Sequence, residues 1–281
     1  MNTPFGLGDR QILFKQIKIV LTKSFSFYPI QDMEHSKMDI VILTGAGISK
    51  ESGLDTFRDE GGIWSQVSLE EVATLDAFKE NPEKVQNFYN ARRRPLIEGL
   101  IKPNAAHYSL AILEKEWELA NRGKVTIITQ NIDNLHESAG SKNLIHMHGE
   151  ILKARCLNCN CISICDTDLG FGESCFYCKK TNVLRPHVVW FGEEPLEMNH
   201  IHDLLKECNL FISVGTSGNV YPAAGFIKSV KENSNIYAVE LNLEPSNGAT
   251  LFDEVRYGAA TDIIPIYVEE LLRKGISVAK T

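Results

Sequence analysis

No stretch of this 281-residue chain approaches the roughly 20 consecutive apolar residues that a helix needs to cross a bilayer. The longest apolar runs, such as Ile40 to Leu43, are strand-sized, so a soluble, cytoplasmic protein without a membrane partner is expected. Basic residues are also in short supply: 29 Lys plus Arg face 36 Asp plus Glu, a formal net charge of −7. That balance disfavours sequence-independent binding to a phosphate backbone, so no nucleic-acid partner is expected and any basic partner should be a protein segment. Internal repeats and low-complexity tracts are absent. Arg is scarce in residues 1–38 and no small-residue cleavage site is visible there, so this segment reads as a frayed or docked extension rather than a transit peptide. Cysteine is nearly missing outside one region: six of the seven lie between Cys156 and Cys178, and only Cys208 stands apart. Such clustering points to metal rather than to a disulfide framework, and Cys208 reads as a core residue at a helix end.

What is present is a chain 43% hydrophobic, long enough to bury one large domain with a smaller satellite. Short apolar runs at Ile40 to Leu43, Val125 to Thr129, His187 to Phe191, Leu210 to Gly215 and Ile236 to Leu241 are too short for buried helices and read as buried, mostly parallel strands. Helical patterns at Ala105 to Leu119, Leu196 to Cys208, Ala223 to Glu232 and Asp262 to Lys274 fall between and after them. The alternation predicts an α/β fold, a doubly wound and mostly parallel Rossmann-like sheet, formed by residues 39–64, 104–150 and 183–275. A helical insert (65–103) and a Cys-rich, turn-rich segment (151–182) interrupt it and are expected to form the small module.

Two motifs carry chemistry on their own. The first strand runs into Thr44-Gly45-Ala46-Gly47-Ile48-Ser49, where two glycines let the backbone approach a pyrophosphate. The third glycine of the usual dinucleotide fingerprint is missing, since Lys50 occupies its place, and this disfavours an ordinary dehydrogenase. The glycine- and aromatic-containing loop from Ser52 to Trp64 has no periodicity and suits a mobile cofactor cover. The second motif is Cys156-x2-Cys159 with Cys175-x2-Cys178, fifteen residues apart, the spacing of a structural zinc site with four thiolate ligands. Cys161 and Cys165 compete for those positions but form no second x2 pair.

Taken with the phosphate turn, the loop resembles the long cofactor-binding loop of the sirtuin family. The match recurs in order at Gln130-Asn131-Ile132-Asp133, His146-Met147-His148-Gly149-Glu150, His187-Val188-Val189-Trp190-Phe191-Gly192-Glu193 and Gly215-Thr216-Ser217. It covers residues 39 to about 270, with Asp55 as one departure, where many relatives carry proline. The resemblance implies an NAD-dependent protein-lysine deacylase that acts on acylated lysine in proteins or peptides, with one structural zinc ion. It implies NAD contacts from Gly45, Ala46, Gly47, Ile48, Ser49, Glu51, Ser52, Thr56, Phe57, Arg58 and Trp64. It implies further contacts from Gln130, Asn131, Ile132, Asp133, Gly215, Thr216 and Ser217, and, at the adenosine end, from Asn242, Leu243, Glu244 and Ala260.

Cleaving the bond between nicotinamide and ribose needs polar side chains at a strand end, and the resemblance gives that work to Asn131 and Asp133. A helix cap near Asp133 is the structural alternative. A general base with a pKa near neutrality is also required, and His148 matches the family's catalytic position; His136, His146 and His187 are expected to be structural or to act through neighbours. In the insert, Tyr89 and Arg92 stand three residues apart, on one side of a helix, and together can hold a carboxylate. Arg92 to Arg94 read in isolation would be a solvated basic face. With small Ala73, the pair resembles the sirtuin branch that removes succinyl and malonyl groups, some members of which remove acetyl as well. Val189, Phe191 and Gly192 would line the peptide channel. Two other classes share parts of the pattern: an NAD-dependent protein ADP-ribosyltransferase, and a zinc-ribbon nucleic-acid-binding module, which the negative charge opposes.

Overall fold

The computed structural model describes residues 37–54, 69–170, 172–233 and 235–276. The expectations for Thr56, Phe57, Arg58 and Trp64, and for most of the N-terminal extension, lie outside the described residues.

The strands are β1 (Ile40–Thr44), β2 (Val125–Thr129), β3 (Leu144–His146), β4 (Gly149–Cys156), β5 (Ile162–Ile164), β6 (Leu184–Val188), β7 (Leu210–Val214), β8 (Tyr237–Asn242) and β9 (Glu254–Tyr257). The helices are α1 (Leu69–Val72), α2 (Leu75–Glu80), α3 (Pro82–Ile97), α4 (Ala105–Leu119), α5 (Leu135–Ala139), α6 (Met198–Glu207), α7 (Phe226–Lys231) and α8 (Ala260–Lys274). Six strands form one sheet in the order β3-β2-β1-β7-β8-β9, and every neighbouring pair in it is parallel.

Composition explains this sheet. Every residue of β1, β2 and β7 is buried, as parallel strands covered on both faces require. On one face Ile40, Ile42, Ile127, Ile212 and Val239 pack with Leu113 and Trp117 of α4 and Val268 of α8. On the other, Val41, Leu43, Phe211 and Ala238 pack with Ile201 and Leu205 of α6 and Phe226 and Val230 of α7. Each such aliphatic side chain contributes about 1.5–3 kcal/mol on burial, and helices on both faces make the fold doubly wound, as predicted. From β1 the chain builds outward through β2 and β3, then returns to place β7 on the other side of β1. The reversal opens a crevice at the carboxyl ends of β1 and β7, where ligands of such sheets collect.

The segment around His187 departs from expectation. It is a strand from Leu184 to Val188, and it runs antiparallel to β4 in a separate three-stranded sheet, β5-β4-β6. Its partner is β4 of the small module rather than a strand of the large sheet, so the apolar run of this segment is buried between the small sheet and the helical insert. A third core joins this sheet to the helical insert: Val72, Ala73, Phe78, Val85, Phe88 and Tyr89 pack on Ile151, Val188 and Trp190. The insert starts its long helix well: Asn81 caps α3 by accepting from the Lys84 amide at 2.9 Å, and Pro82 occupies the first turn. No helix among the described residues is long and apolar enough to cross a membrane.

Candidate active site

The crevice is lined first by backbone. A 3-10 helix, Ala46–Ser52, follows β1 directly. The Gly45 amide donates to the Val214 carbonyl at 2.9 Å and the Gly47 amide to the Gly215 carbonyl at 2.8 Å. A Cβ on Gly47 would lie 2.7 Å from Gly215 Cα, and one on Gly215, whose φ is +58°, 2.6 Å from the Ile48 nitrogen. Glycine at these positions therefore lets the two loops touch backbone to backbone, which accounts for the Gly-x-Gly pair without a third glycine at Lys50. Thr216 and Ser217 continue the second loop. The Thr216 hydroxyl accepts from Gln130 Nε2 at 3.0 Å and its carbonyl from Asn242 Nδ2 at 2.8 Å. Gln130 at the end of β2 and Asn242 at the end of β8 thus meet one loop, with Leu243 and Glu244 just beyond. The Gly258 amide donates to the Asn242 carbonyl at 2.9 Å, which leaves Ala260, the first residue of α8, at the same end of the sheet. Glu51 is exposed, and Ser52 accepts from Asn104 Nδ2 at 3.0 Å.

Behind this frame lies a buried polar network. Asn131 Nδ2 donates to the Gly45 carbonyl at 3.2 Å and to Ser49 Oγ at 3.1 Å, and Ser49 Oγ donates to Asp133 Oδ2 at 3.1 Å. Asp133 Oδ1 accepts from the Leu135 amide at 3.0 Å. Asp133 precedes the N-cap Asn134 and satisfies the first amide of α5 with one carboxylate oxygen while the other faces Ser49. Burial raises the Asp133 pKa, with the Leu135 and Ser49 hydrogen bonds opposing. Ile132 carries the chain across to the small sheet, its carbonyl accepting from the Ile151 amide at 2.8 Å. His107 Nε2 lies 3.4 Å from Ser49 Oγ, and Asn104, the N-cap of α4, grips the Ile48 carbonyl at 2.8 Å. Asn104 and His107 were not singled out from the sequence; their signal was a capping-box spacing at the start of α4.

The histidines divide by environment. His148 Nδ1 lies 3.0 Å from the Gln130 carbonyl. A carbonyl only accepts, so Nδ1 carries the proton and Nε2 keeps its lone pair. Burial lowers its pKa, which the Gln130 bond partly offsets. His136 is buried with Nε2 at 3.0 Å from Thr44 Oγ1, and burial holds its pKa far below the ordinary range. His187, also buried, is pushed down to about 4. Burial works against a charge on His146 too, but the Glu137 carboxylate at 2.7 Å raises its pKa, and its Nδ1 meets the Asn131 carbonyl at 3.3 Å. His136 and His187 are thus buried in neutral form and His146 is paired with Glu137, while His148 is only half-buried and has Nδ1 fixed by a carbonyl.

The candidate acyl end lies in the small module. The Val189 amide donates to the His148 carbonyl at 2.8 Å and the Phe191 amide to the Ala73 carbonyl at 2.9 Å. These bonds tie the segment 189–191 between His148 and the helical insert, with Phe191 exposed and Gly192 turning at φ +88°. Tyr89 is buried beside Ala73, and Trp190 Nε1 donates to its hydroxyl at 2.9 Å. The Arg92 guanidinium lies 3.3 Å over the Phe88 ring and donates to the Phe88 carbonyl at 2.9 Å, so the solvated-face alternative does not describe it. Burial pushes Tyr89 up to about 12, against the Trp190 bond and the Arg92 charge, and the phenol stays a protonated donor.

The cysteine site matches a tetrahedral ion. Cys156 Sγ and Cys178 Sγ are 3.7 Å apart, as are Cys159 Sγ and Cys175 Sγ, and all four sulfurs lie within 4.8 Å of one another. Zinc–sulfur bonds of about 2.3 Å in a tetrahedron require roughly 3.8 Å between sulfurs. Cys165 instead sits in a small core with Ala154 and Leu169, and Cys161 supplies a carbonyl to the Cys156 amide. Cys208 is buried at the end of α6.

Known proteins share this arrangement. The model of the Sir2 family matches residues 45–222. An NAD-dependent protein deacylase of Pasteurella multocida is 53% identical over 233 residues, 83% of this chain and 97% of its own. The NAD-dependent protein deacylase SIR2rp3 of Leishmania major is 51% identical over 238 residues, 84% and 97% of the two chains. A crystal structure of a Sir2 homolog–NAD complex superposes with a TM-score of 0.74 at 34% identity, covering 85% of this chain and 90% of that one. A Sir2 variant bound to a deacetylated p53 peptide and 3′-O-acetyl ADP-ribose gives a TM-score of 0.67 at 28% identity, over 84% and 93%. On the strength of the family match and of these relatives, this chain belongs to the Sir2 family.

Proposed function

We propose that this protein is an NAD-dependent protein-lysine deacylase, acting on succinyl- and malonyl-type acyl groups and on acetyl, with one structural zinc ion. The observation that supports the reaction class is that Asn131 and Asp133 are tied through Ser49 to the Gly45 turn while His148 is bonded to Gln130, the residue just before Asn131. The close backbone approach of the Gly45–Ser49 turn to Gly215 would leave room for the pyrophosphate beside the Thr216 and Ser217 amides, since the Gly45, Gly47 and Gly215 amides are spent on bracing the loops. Asn242 to Glu244 with Ala260 would hold the adenosine end. Bound NAD supplies an activated carbon that accepts the acyl oxygen as nicotinamide leaves.

The chain's own contribution follows from its geometry. Asn131 and Asp133, fixed by Ser49, orient the nicotinamide end and exclude water from it. His148 keeps Nε2 free to take a proton from a ribose hydroxyl and pass it toward the departing lysine nitrogen. The sugar oxygen would bond the acyl carbon as the carbon–nitrogen bond breaks, lysine would leave as the free amine, and one water would add to the acyl carbon to release acyl-ADP-ribose. The lowered His148 pKa places the acid limb of the activity profile below pH 6.5: the base form persists there and is lost only as pH falls through the folded-state value. Cys156, Cys159, Cys175 and Cys178 would hold zinc with no open position, leaving it a staple for the small module.

Acyl choice rests on Tyr89 and Arg92. A protonated phenol and a guanidinium on one helix, beside small Ala73, match a carboxylate-ended acyl chain, and Val189, Phe191 and Gly192 line its mouth. The test is a parallel assay of acetyl-, succinyl- and malonyl-lysine peptides with and without NAD, following nicotinamide and acyl-ADP-ribose by mass spectrometry. Tyr89→Phe with Arg92→Met should lower the charged substrates roughly tenfold or more relative to acetyl. Equal losses for all three would overturn the charged-acyl reading, and transfer of ADP-ribose to protein without release of free lysine would overturn the deacylase itself.

A further inference from the structure

We infer that Trp190 is a positioning residue for acyl choice: its indole N–H, locked in place by Arg185 and Glu193, turns the Tyr89 hydroxyl proton toward the substrate's terminal carboxylate. The inference rests on the Tyr89–Arg92 reading above and gives it a cause.

A phenol hydroxyl has one proton and two lone pairs, whereas an indole N–H can only donate. Trp190 Nε1 sits 2.9 Å from Tyr89 Oη, so that oxygen must accept on the tryptophan side. The phenol's own proton is then directed elsewhere, and no acceptor for it exists among the described residues. Tyr89 is 1% exposed, so water does not readily meet that demand. A buried donor without a partner costs roughly 1–3 kcal/mol, and an anionic acceptor delivered by the substrate would relieve it. An acetyl group, which ends in a methyl, cannot.

Trp190 is itself held on several sides. The Arg185 guanidinium lies 3.4 Å over its ring. Arg185 Nη1 and Nη2 donate to the two Glu193 carboxylate oxygens at 2.6 and 2.9 Å, and Nη2 also donates to the Val188 carbonyl at 2.6 Å. Glu193 Oε2 accepts from the Trp190 backbone amide at 2.8 Å, and the Phe78 ring packs against the indole, centroids 5.3 Å apart. Arg185 is 3% exposed. Glu193 is half-buried, so burying the Arg185 guanidinium is the desolvation cost of this brace, and the brace fixes the donor that orients the Tyr89 hydroxyl.

The experiment is a double-mutant cycle on the full-length chain with saturating NAD, reading kcat/KM for succinyl- and acetyl-lysine peptides. Trp190→Phe keeps a ring in the core and removes the donor. It should lower the succinyl-to-acetyl ratio about tenfold, mostly through the succinyl KM, and should change that ratio less than about twofold when Tyr89 is already Phe. A purely structural role for Trp190 predicts equal losses on both peptides, or the full effect in the Tyr89→Phe background, and either result overturns the inference. Should Trp190→Phe fold poorly, Arg185→Lys, which breaks the two-pronged bond to Glu193, should shift the ratio in the same direction only when Tyr89 is present; an unchanged ratio overturns the inference. A selective Tyr89→Phe beside an unselective Trp190→Phe sinks this inference alone, whereas an unselective Tyr89→Phe sinks the charged-acyl reading with it.

Discussion

The loops at the sheet's switch point and the side-chain cluster around Trp190 are built by opposite means. At Gly45, Gly47 and Gly215 the chain omits side chains so that two loops meet backbone to backbone. At Tyr89, Trp190 and Arg185 it buries large polar side chains and links them through Trp190 and Glu193. The first construction relies on backbone atoms that are the same in every sequence, which suits an invariant co-substrate. On the reading proposed above, the second would encode a preference in individual side chains, open to retuning one residue at a time. His148 lies on the seam, bonded through Nδ1 to the Gln130 carbonyl of the large sheet and through its own carbonyl to Val189 of the small module.

The largest effect that would break this comparison is removal of the metal. Structural zinc supplies roughly 10–16 kcal/mol of apparent binding energy in small zinc modules, so a strong chelator, or Cys175→Ser, should abolish deacylation. NAD binding by the large sheet, measured calorimetrically, should survive; its loss would show that the two regions are one cooperative unit. Next is His148→Ala, expected to reduce turnover roughly 10²–10⁴-fold on acetyl and succinyl peptides alike. An acyl-dependent loss would place His148 in the pocket rather than on the seam.

Gly215→Ala tests the backbone construction. With φ at +58° and a Cβ 2.6 Å from the Ile48 nitrogen, it should cost about 2–4 kcal/mol in urea denaturation and weaken NAD binding. A milder effect follows from acid. Burial pushes His107 down to about 4, so the unfolded chain takes up a proton near pH 6.5 while the native state does not. Stability fully present above pH 6.5 is therefore lost as pH falls towards 4, by on the order of 3 kcal/mol from this group. His107→Gln should flatten that part of the stability profile. Smallest is Cys208→Ala, outside both regions, expected to cost about 1 kcal/mol and leave both activities unchanged.

Legibility in the sequence follows the same division. β1, β2, β7 and β8 were readable because strands buried on both faces are nearly uninterrupted Val and Ile runs, and α4 matches its predicted span residue for residue. The glycine turn and the cysteine knuckles were readable because their chemistry is local. β3 and β9 escaped notice because short edge strands are only partly apolar. The segment at His187 was assigned to the parallel set because a continuous apolar run does not reveal which sheet it joins. Asn104, His107 and Arg185 carry no sign of their long-range partners in the sequence, each being an unremarkable polar residue until a distant segment meets it, and the bond from Arg185 to Glu193 is equally invisible there.

Local pattern alone thus determined the doubly wound architecture, the glycine turn after β1 and the four-cysteine cluster, since periodicity, glycine content and cysteine spacing are properties of neighbouring residues. Only the tertiary structure decided which nitrogen of His148 stays free and where the Tyr89 hydroxyl points. Those depend on the Gln130 carbonyl, 18 residues away, and on the Trp190 indole, 101 residues away. Hydrogen-bond direction is set by the partner across the gap, and no reading of either segment by itself contains that partner.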